Sequence, residues 1–354
     1  MANKIRIKSL DRAGLERLAV QMGQPSYRGR QLFVWLFGKW VSSFDEMRNL
    51  PAAFRSQLAA ETTLDTIVES LTQRSSDGTI KSLMTLPSGL RVETVLIPEI
   101  DEHGKSKRMT VCVSSQVGCA MGCTFCATGK MGFEQNLSVG EIVDQVLHMD
   151  GVARQEYDAR VSNIVFMGMG EPLMNYANVI GAIDVITHAD SLNLSQKRIT
   201  VSTVGLAKRI RQLADDGTRF NLAISLHSPI DEKRSSIMPV NRSAGTDLKA
   251  LGVAVRYYYK IVARPVTYEY CMLSGFNDTT ADADALARIA SWAPCKVNLI
   301  MYNKVEGSEF APTSNADLDR FIRILVRRGV RVTVRRSRGQ DISAACGQLI
   351  VENA

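Results

Sequence analysis

Residues 109–126 read MTVCVSSQVGCAMGCTFC and join a strand-like segment to a cluster of cysteines. The apolar residues 109–113 predict a buried strand, and Cys119, Cys123 and Cys126 follow it directly. Three thiolates this close together can bind one compact metal centre. A zinc site would need a fourth protein ligand, which no second cysteine pair or nearby histidine supplies. A 4Fe–4S cluster held by three cysteines leaves one iron open for chemistry, so the spacing favours this cluster over zinc and over inert buried thiols.

Strand-like and helix-like segments alternate from residue 109 onward. Amphipathic helices are predicted at residues 138–148, 176–188, 280–292 and 315–328, and Ser138 with Glu141 is typical of a capping box. Repeated βα units predict a parallel sheet, as a complete or partial barrel, with chemistry at the carboxyl ends of the strands. The predicted strands are residues 109–113, 163–167, 198–201, 221–226, 266–272, 296–301 and 330–334.

The region before the barrel has a different pattern. Residues 1–75 predict short helices, including the apolar segment 31–40. Turn signals at Asp77-Gly78 and Ser88-Gly89 bound two strand-like segments, 79–86 and 90–97, which predict a hairpin, and the polar residues 98–107 predict a linker. We therefore expect a helical accessory domain at 1–75, a β linker at 76–107 and a catalytic domain at 108–354.

Composition limits the class of protein. The chain has 354 residues, of which 45% are hydrophobic and 22% charged, with a net charge of +7. This balance excludes a disordered chain, a fibrous repeat and a small disulfide-stapled scaffold. There is no apolar run of about 18 residues and no secretory leader, so we expect a cytoplasmic protein without a membrane helix. Seven cysteines without an export signal favour thiols that bind metal or react.

The positive charge is concentrated near the carboxyl end. Seven arginines and no Asp or Glu lie within residues 323–338. Such a stripe indicates a phosphate-rich partner, whereas the plain interpretation is a solvated helix face followed by an edge strand. Charge by itself does not decide between these interpretations.

Several polar motifs fall where predicted strands end. In Gly168-Met-Gly-Glu-Pro172 the glycines allow a ligand to approach the backbone, and the carboxylate of Glu171 can accept a hydrogen bond from an amino group. Each motif could also be an ordinary turn, and a histidine on its own is more often structural. The candidate binding residues at these strand ends are Gly170, Glu171, Ser202, Ser225, Leu226, His227 and Asn303.

Two further cysteines are candidates for reaction. Cys112 lies within the first predicted barrel strand, and Cys346 lies in the segment DISAACGQL near the carboxyl end. A nucleophile and its resolving thiol would need access to each other, whereas buried thiols would be inert. Spacing leaves both possibilities open, and we assign Cys271 and Cys295 to the core.

These residues together resemble a known family. Cys119-x3-Cys123-x2-Cys126 resembles the radical S-adenosylmethionine signature. Together with Cys112, the motifs MGMGEP, STVG and SLHSP, Asn303 and DISAACGQL, it resembles the class A radical S-adenosylmethionine RNA methyltransferases, the RlmN/Cfr family. The likeness extends from Glu93 to Leu349. It implies a partial (β/α)6-type barrel with a small amino-terminal helical accessory domain and a strand linker.

The resemblance also implies a mechanism. The cluster is bound by Cys119, Cys123 and Cys126, and two S-adenosylmethionine molecules are used per turnover at the strand-end residues named above. Cys346 carries a methyl group, which is converted to a radical and added to an adenine ring carbon. Glu93 accepts the ring proton, and Cys112 resolves the adduct through a disulfide with Cys346. The implied partners are 23S rRNA, with tRNA as a possible second substrate, and a flavodoxin-type electron donor, with the enzyme acting as a monomer.

The branch within the family is less defined. The RlmN branch methylates C2 of adenine and the Cfr branch C8, with antibiotic resistance as the result, and Pro172 after Glu171 resembles the C2 branch. Ser343 stands where the family usually has Asp, and Lys304 where Pro is frequent. The alternatives to C2 methylation are a C8 enzyme, a different radical enzyme with no use for Cys112 and Cys346, and an RNA-binding protein with a structural metal.

Overall fold

The amino-terminal region is a small helical layer. The computed structural model describes residues 4–64, 67–242 and 246–351. α1 begins after Asp11, whose side chain accepts a hydrogen bond from the Gly14 amide, and it buries Leu15 and Leu18. The helices predicted here are present as far as α3. The elements of this layer are β1 (Ile5–Arg6), α1 (Arg12–Gln21), α2 (Tyr27–Phe33), α3 (Ala52–Glu61) and β2 (Thr62–Thr63).

An antiparallel meander follows. It consists of β3 (Val68–Arg74), β4 (Ile80–Thr85), β5 (Arg91–Ile100) and β6 (Ser106–Cys112). The hairpin β4–β5 was predicted, but the expectation of helices as far as residue 75 is wrong for Val68–Arg74. This strand is the edge of the sheet and is exposed along most of its length, so it lacks the alternating apolar residues that reveal a half-buried strand.

The predicted linker at 98–107 is also wrong. β5 continues to Ile100, β6 begins at Ser106, and the two strands pair. Between them Asp101 closes a tight turn by accepting hydrogen bonds from the amides of His103 and Lys105. Short polar side chains form such turns readily, which is why the segment was mistaken for a linker.

A second, smaller hairpin holds the cysteine loop. It is formed by β7 (Gln116–Cys119) and β8 (Gly132–Asn136), with the short helix α4 (Ala127–Lys130) between them. β7 ends at Cys119, and α4 begins immediately after Cys126. The cysteine motif is therefore fixed at both ends by regular structure.

The parallel part of the sheet continues from β6. Six βα crossovers place its strands in the order β6-β9-β10-β11-β12-β13-β14, and the ten-stranded sheet has β3 and β14 at its edges. This is an open barrel, as the predicted fold class requires. Its strands are β9 (Asn163–Phe166), β10 (Ile199–Thr203), β11 (Asn221–Ser225), β12 (Val266–Met272), β13 (Cys295–Met301) and β14 (Val332–Arg335).

The helices cover the outer face of the parallel strands. Ser138 and Glu141 form the predicted capping box at the start of α5, which continues well beyond the predicted end at residue 148. In the described part of the chain no helix is both long enough and apolar enough to cross a membrane. The helices are α5 (Val139–Tyr157), α6 (Tyr176–Thr187), α7 (Ala207–Asp215), α8 (Asp231–Ile237), α9 (Leu248–Val262), α10 (Thr280–Ala290) and α11 (Asn315–Arg327).

A buried ion pair joins the amino-terminal layer to the barrel. Lys8 Nζ lies 2.9 Å from Asp144 Oδ1 on α5, and both side chains are almost fully buried. The indole of Trp40 donates a second hydrogen bond to the same carboxylate at 3.0 Å. Because an unpaired buried charge is costly, this contact fixes how the layer sits on α5.

Candidate active site

The three cysteines of the loop line one cavity at the carboxyl ends of the parallel strands, here called the carboxyl-end cavity. The predicted binding residues Gly170, Glu171, Ser202, Ser225 and His227 line the same cavity, and so does Cys346. The loop is held by backbone hydrogen bonds from Thr124 to Ile237 and from Cys126 to Cys123. The structure thus brings together most of the residues that the sequence predicted at this site.

The cysteine thiols suit a large, positively charged inorganic group. Burial raises the pKa of Cys119 to about 12 and that of Cys123 well above the ordinary thiol value. A bound cluster stabilises thiolates by supplying positive charge. Within the three described ranges, no three Cys, His, Asp or Glu side chains are grouped to hold a single metal ion. In a 4Fe–4S cluster each thiolate binds a different iron, so the cysteines need to share a cavity wall rather than converge on one point.

A glycine turn after β9 forms one wall. Gly170 has φ +96°, and a Cβ there would lie 2.5 Å from the Cβ of Gln116, so this close approach requires glycine. The Gln116 side chain accepts a hydrogen bond from the Glu171 amide at 2.8 Å. The turn is thereby tied to the start of the cysteine hairpin.

Glu171 links two neighbouring strand ends. One carboxylate oxygen accepts a hydrogen bond from the Leu173 amide at 3.0 Å, and the other from the Val204 amide at 2.8 Å. Burial raises the pKa of this carboxyl to about 7, although these hydrogen bonds oppose the shift. Each oxygen keeps a second lone pair, so the carboxylate can still accept a hydrogen bond from a ligand amino group.

The segment after β11 separates two of the predicted residues. His227 lies in the cavity with φ +55°, and its Nδ1 accepts a hydrogen bond from the Cys271 amide at 3.0 Å. Burial lowers the pKa of His227 to about 3, so the ring is neutral and its Nε2 carries a proton that can be donated to a ligand. The Leu226 side chain is instead fully buried in the core, and its carbonyl accepts from Arg234.

Asn303 contacts the cysteine-bearing tail rather than the carboxyl-end cavity. Its amide nitrogen donates to the Cys346 carbonyl at 3.1 Å, and its amide oxygen accepts from Gln340 at 2.8 Å. Residues 339–351, here called the tail segment, are also held by a hydrogen bond from the Ala127 amide to the Gly347 carbonyl. Asn303 is therefore placed to position Cys346.

Cys346 and Cys112 meet in a second cavity. This lumen cavity, of about 840 Å³, lies inside the curve of the sheet and runs from the amino ends of the parallel strands inward. Cys112 and Cys346 both line it, and Cys346 lines the carboxyl-end cavity as well. The two thiols predicted to form a pair therefore share a space, with Cys346 at the boundary between the two cavities.

Glu93 is not among the residues that line the lumen cavity or the carboxyl-end cavity. It lines a third cavity, together with the tail-segment residues Asp341 and Ser343. Its carboxylate forms an ion pair of 2.7 Å with Lys81 and accepts a hydrogen bond from the Ile350 amide at 3.0 Å. Burial raises the pKa of Glu93, and Lys81 partly offsets this. In this arrangement the residue holds the tail segment in place.

Ser343 and Lys304, the two residues that depart from the family pattern, make their contacts through backbone carbonyls. The Ser343 carbonyl accepts a hydrogen bond from Lys81 at 3.4 Å, and the Lys304 carbonyl accepts one from Gln348 at 3.1 Å. Any residue supplies a carbonyl, so neither departure removes these contacts from the tail segment.

Sequence reasoning overlooked two residues beside the site. Arg234 is fully buried and donates to the carbonyls of Leu226 and Val204, which joins the ends of β11 and β10. Arg335 lines the lumen cavity with both thiols, and its guanidinium donates to the Met167 sulfur at 3.5 Å. Arg234 lies in an ordinary charged stretch, and Arg335 was noted only as one of the seven arginines of the basic stripe. The sequence neighbours of both carry no signal of burial.

Comparison with known proteins gives a consistent result. The Radical SAM superfamily model matches residues 113–287, and the model of the ribosomal RNA large subunit methyltransferase N-terminal domain matches residues 5–64. The chain is 56% identical over 350 residues to a probable dual-specificity RNA methyltransferase RlmN of Salinibacter ruber, covering 99% of this chain and 95% of the relative. It is 45% identical to the protein of the same name from Flavobacterium johnsoniae, covering 98% and 97%.

A solved structure has the same fold over nearly the full length. The crystal structure of a radical SAM methyltransferase from Sphaerobacter thermophilus superimposes with a TM-score of 0.90 at 41% identity. The match covers 98% of this chain and 99% of the other. The amino-terminal layer, the meander and the open barrel thus recur together in that protein.

Proposed function

Because the chain belongs to the RlmN family of radical S-adenosylmethionine RNA methyltransferases, we propose that it methylates C2 of an adenine in 23S rRNA and in tRNA by way of a methyl group on Cys346. The 4Fe–4S cluster and S-adenosylmethionine are the cofactors of this family. Adenine C2 is electron-poor and is not a nucleophile, so a sulfonium cannot transfer a methyl group to it directly. A carrier thiol that delivers the methyl carbon as a radical provides another route.

One observation carries the proposal: Cys346 lies at the boundary between two cavities, and Cys112 lines one of them. A carrier must meet the methyl donor on one side and the acceptor base on the other. In the proposal, S-adenosylmethionine occupies the carboxyl-end cavity, and the target base occupies the lumen cavity. A base removed from its stack can reach an enclosed site of this kind, which favours loops and other flexible RNA.

The carboxyl-end cavity supplies the donor site. Cys119, Cys123 and Cys126 would bind the cluster, which together with S-adenosylmethionine would supply the radical chemistry needed to activate the methyl group on Cys346. Gly170 would leave room for the ligand beside its backbone, Glu171 would accept from the ligand amino group, and Ser202, Ser225 and the Nε2 of His227 would donate. Leu226 would contribute backbone atoms alone, and Asn303 would act on the site through Cys346.

The remaining steps belong to the thiols and one carboxylate. The Cys346 thiolate takes a methyl group from the first S-adenosylmethionine, and after addition to the ring it links protein to RNA. The ring radical would lose one electron to the cluster before the last step. Cys112 would then attack the Cys346 sulfur and break its bond to the carbon on the base, which keeps the electron pair and takes up a proton, so that a Cys112–Cys346 disulfide and the methylated base remain. In the proposal Glu93 accepts the ring proton, for which its carboxylate must leave Lys81 and the Ile350 amide.

The wider setting is part of the same proposal. We infer that the amino-terminal domain, predicted as residues 1–75, contacts RNA. The β linker at 76–107 would carry Glu93, and residues 108–354 would form the catalytic domain. A flavodoxin-type protein would reduce the cluster and the disulfide, and the enzyme would act as a cytoplasmic monomer. The match of residues 5–64 to the amino-terminal domain of a ribosomal RNA methyltransferase supports the first inference.

Two cysteine variants test the chemistry. Purified anaerobically with its cluster reconstituted, Cys346→Ala should form no methylated adenosine on RNA. Cys112→Ala should accumulate a covalent protein–RNA adduct, visible as a shifted band in a denaturing gel. Mass spectrometry of digested RNA should find 2-methyladenosine in the wild-type reaction.

Each alternative function predicts a different result. Full RNA methylation by Cys346→Ala would contradict the carrier role, and release of product by Cys112→Ala would contradict the resolving role. Formation of 8-methyladenosine would identify a Cfr-like enzyme. A protein that contains zinc without iron and does not modify RNA would be an RNA-binding protein with a structural metal.

A further inference from the structure

The lining of the lumen cavity carries cations that take part in no ion pair among the described residues. Five of them form no ion pair with any carboxylate in the part of the chain that the structure describes. The two other cations of the lining, Arg108 and Arg338, have Glu99 at 2.6 Å and Asp77 at 3.9 Å as partners. The five cations outside these ion pairs are Arg198, Lys296, Arg331, Arg335 and Arg336.

The acidic residues of the lining do not balance this charge. Glu99 already pairs with Arg108, and Glu269 accepts a hydrogen bond from the Asn298 amide at 2.8 Å deeper in the cavity. Glu269 also interacts electrostatically with Arg335 and Lys296. The lining still has an excess of positive charge, which attracts anions because low-dielectric walls concentrate the field. The lumen cavity is thus suited to a polyanion.

The fold divides the arginine-rich stretch into two groups. Arg331, Arg335 and Arg336 line the lumen cavity, whereas Arg323, Arg327 and Arg328 lie on or at the end of α11. Arg328 pairs with Asp284 of α10 at 2.9 Å, and α11 packs against α10 on the outer surface. The seven arginines therefore do not form one continuous surface.

The cations follow the mouth across several strands. Arg198 precedes β10 and Lys296 lies at the start of β13, three strands away. At about 4.8 Å between neighbouring strands, this separation is about 14 Å, which is longer than a single phosphate group. The thiols of Cys112 and Cys346 lie further in. A nucleic-acid strand across the mouth could thus place one base toward the thiols while its phosphates stay among the cations.

We propose that RNA enters through the amino-end mouth of the barrel, where Arg198, Lys296 and Arg331 bind the phosphates that flank the target nucleotide. The outer face of α11 takes no part in this contact. The inference rests on the proposed RNA methylation and adds to it a path and a set of phosphate contacts. S-adenosylmethionine and RNA then approach Cys346 from opposite ends of the barrel.

Matched double variants test the path. Arg198→Gln/Lys296→Gln removes two exposed charges at the mouth, and Arg323→Gln/Arg327→Gln removes two exposed charges from α11. Binding would be measured against salt concentration with a transcript of the peptidyl-transferase region of 23S rRNA and with poly(U), which contains no adenine. Each lost phosphate contact lowers the magnitude of the slope of log K against log salt by about 0.7. The slope should therefore decrease by about 1.4 in the mouth variant and should not change in the helix variant. Iron content and unfolding temperature would verify that each variant is intact.

A labelling experiment keeps the test informative if the mouth variant does not fold. In wild-type protein, RNA should protect Lys296 from acetylation, as read by mass spectrometry, and should leave the exposed Lys260 on α9 unprotected. An unchanged slope for the mouth variant, an equal loss in the helix variant, or an unprotected Lys296 would overturn the proposed path. Absence of methylated adenosine with wild-type enzyme would instead refute the proposed function and leave the binding result intact.

Discussion

Cys112 is a thiol whose environment controls when it can react. Burial, together with the nearby Cys346, raises its pKa to about 12, while the charge of Arg335 acts in the opposite direction. Since the thiolate is the nucleophile, nearly all Cys112 is in its unreactive form at neutral pH. In the proposed mechanism, Cys112 would therefore stay unreactive during the steps that precede resolution of the adduct.

We predict that adduct resolution accelerates with pH. Below a raised thiol pKa, the thiolate fraction increases tenfold for each pH unit, so the decay of the protein–RNA adduct should become about tenfold faster from pH 7 to pH 8. Single-turnover reactions sampled on denaturing, non-reducing gels would measure this rate. The adduct of Cys112→Ala should persist at every pH, and a decay rate in wild type that does not change with pH would contradict the prediction.

The grouping of the three loop cysteines was predictable from their spacing. The contacts of several other candidate residues were not. Cys119, Cys123 and Cys126 are eight residues from end to end, so chain connectivity alone places them together. Asn303 and Glu93 contact the tail segment, which is distant in sequence from both. A strand-end position indicates that a residue is near the site, but it does not indicate which partner the side chain will bind.

Among the elements, the turn after β9 depends most closely on backbone packing. The Gly168 amide donates to the Val113 carbonyl at 3.1 Å, and a Cβ on Gly168 would lie 2.7 Å from the backbone of Val113. Backbone atoms within a sheet cannot move aside as a flexible side chain can. The end of β9 can therefore remain against the strand that carries Cys112 only with glycine at this position.

We predict that Gly168→Ala is destabilising. The added methyl group would push the end of β9 away from the backbone of Val113. This should lower the free energy of unfolding by about 2 kcal/mol, which is within the range for overpacked cores. The matched control is Gly151→Ala on α5, where a Cβ would meet no atom within 4 Å. This substitution should raise the free energy of unfolding by about 1 kcal/mol, because alanine has the higher helix propensity. Urea unfolding monitored by circular dichroism would measure both, and equal stability of the two variants would contradict the packing argument.

Element predictions succeeded where burial imposes a period. The six later parallel strands were located to within about two residues, because each lies between buried helices and reads as an apolar run. β3 was missed because both of its faces are largely exposed to solvent. The cysteine hairpin was missed because β7 and β8 are short and pair with each other alone.

At the scale of the whole molecule, the amino-terminal layer depends on one buried charge pair. The sequence indicated a helical domain, but long-range pairing of Lys8 with Asp144 leaves no periodic signal. Burial raises the pKa of Asp144, and Lys8 acts in the opposite direction. The ion pair thus makes the orientation of the layer sensitive to a single substitution.

We predict that Lys8→Met destabilises the protein by about 3 kcal/mol at pH 7, because it leaves the Asp144 carboxylate buried without its cation. Removing Lys8 raises the Asp144 pKa further, so the penalty should shrink as the pH falls and the folded state takes up a proton. Urea unfolding at pH 7 and pH 5 would measure it. As a control, Lys4→Met at an exposed position should change the free energy of unfolding by no more than about 0.5 kcal/mol. An equally small change in Lys8→Met would refute the prediction.

The position of Cys346 in the chain has a consequence for biosynthesis. Of the described residues that line the carboxyl-end cavity, Cys346 and its neighbour Gly347 belong to the tail segment, and the others lie at or before Tyr302. A ribosome synthesises the amino end first, so the strands and the cysteine loop are made before the tail segment. A message cut short before residue 339 would encode the cluster ligands without an acceptor for the methyl group. Under the proposed mechanism, such a truncated product would leave RNA unmodified.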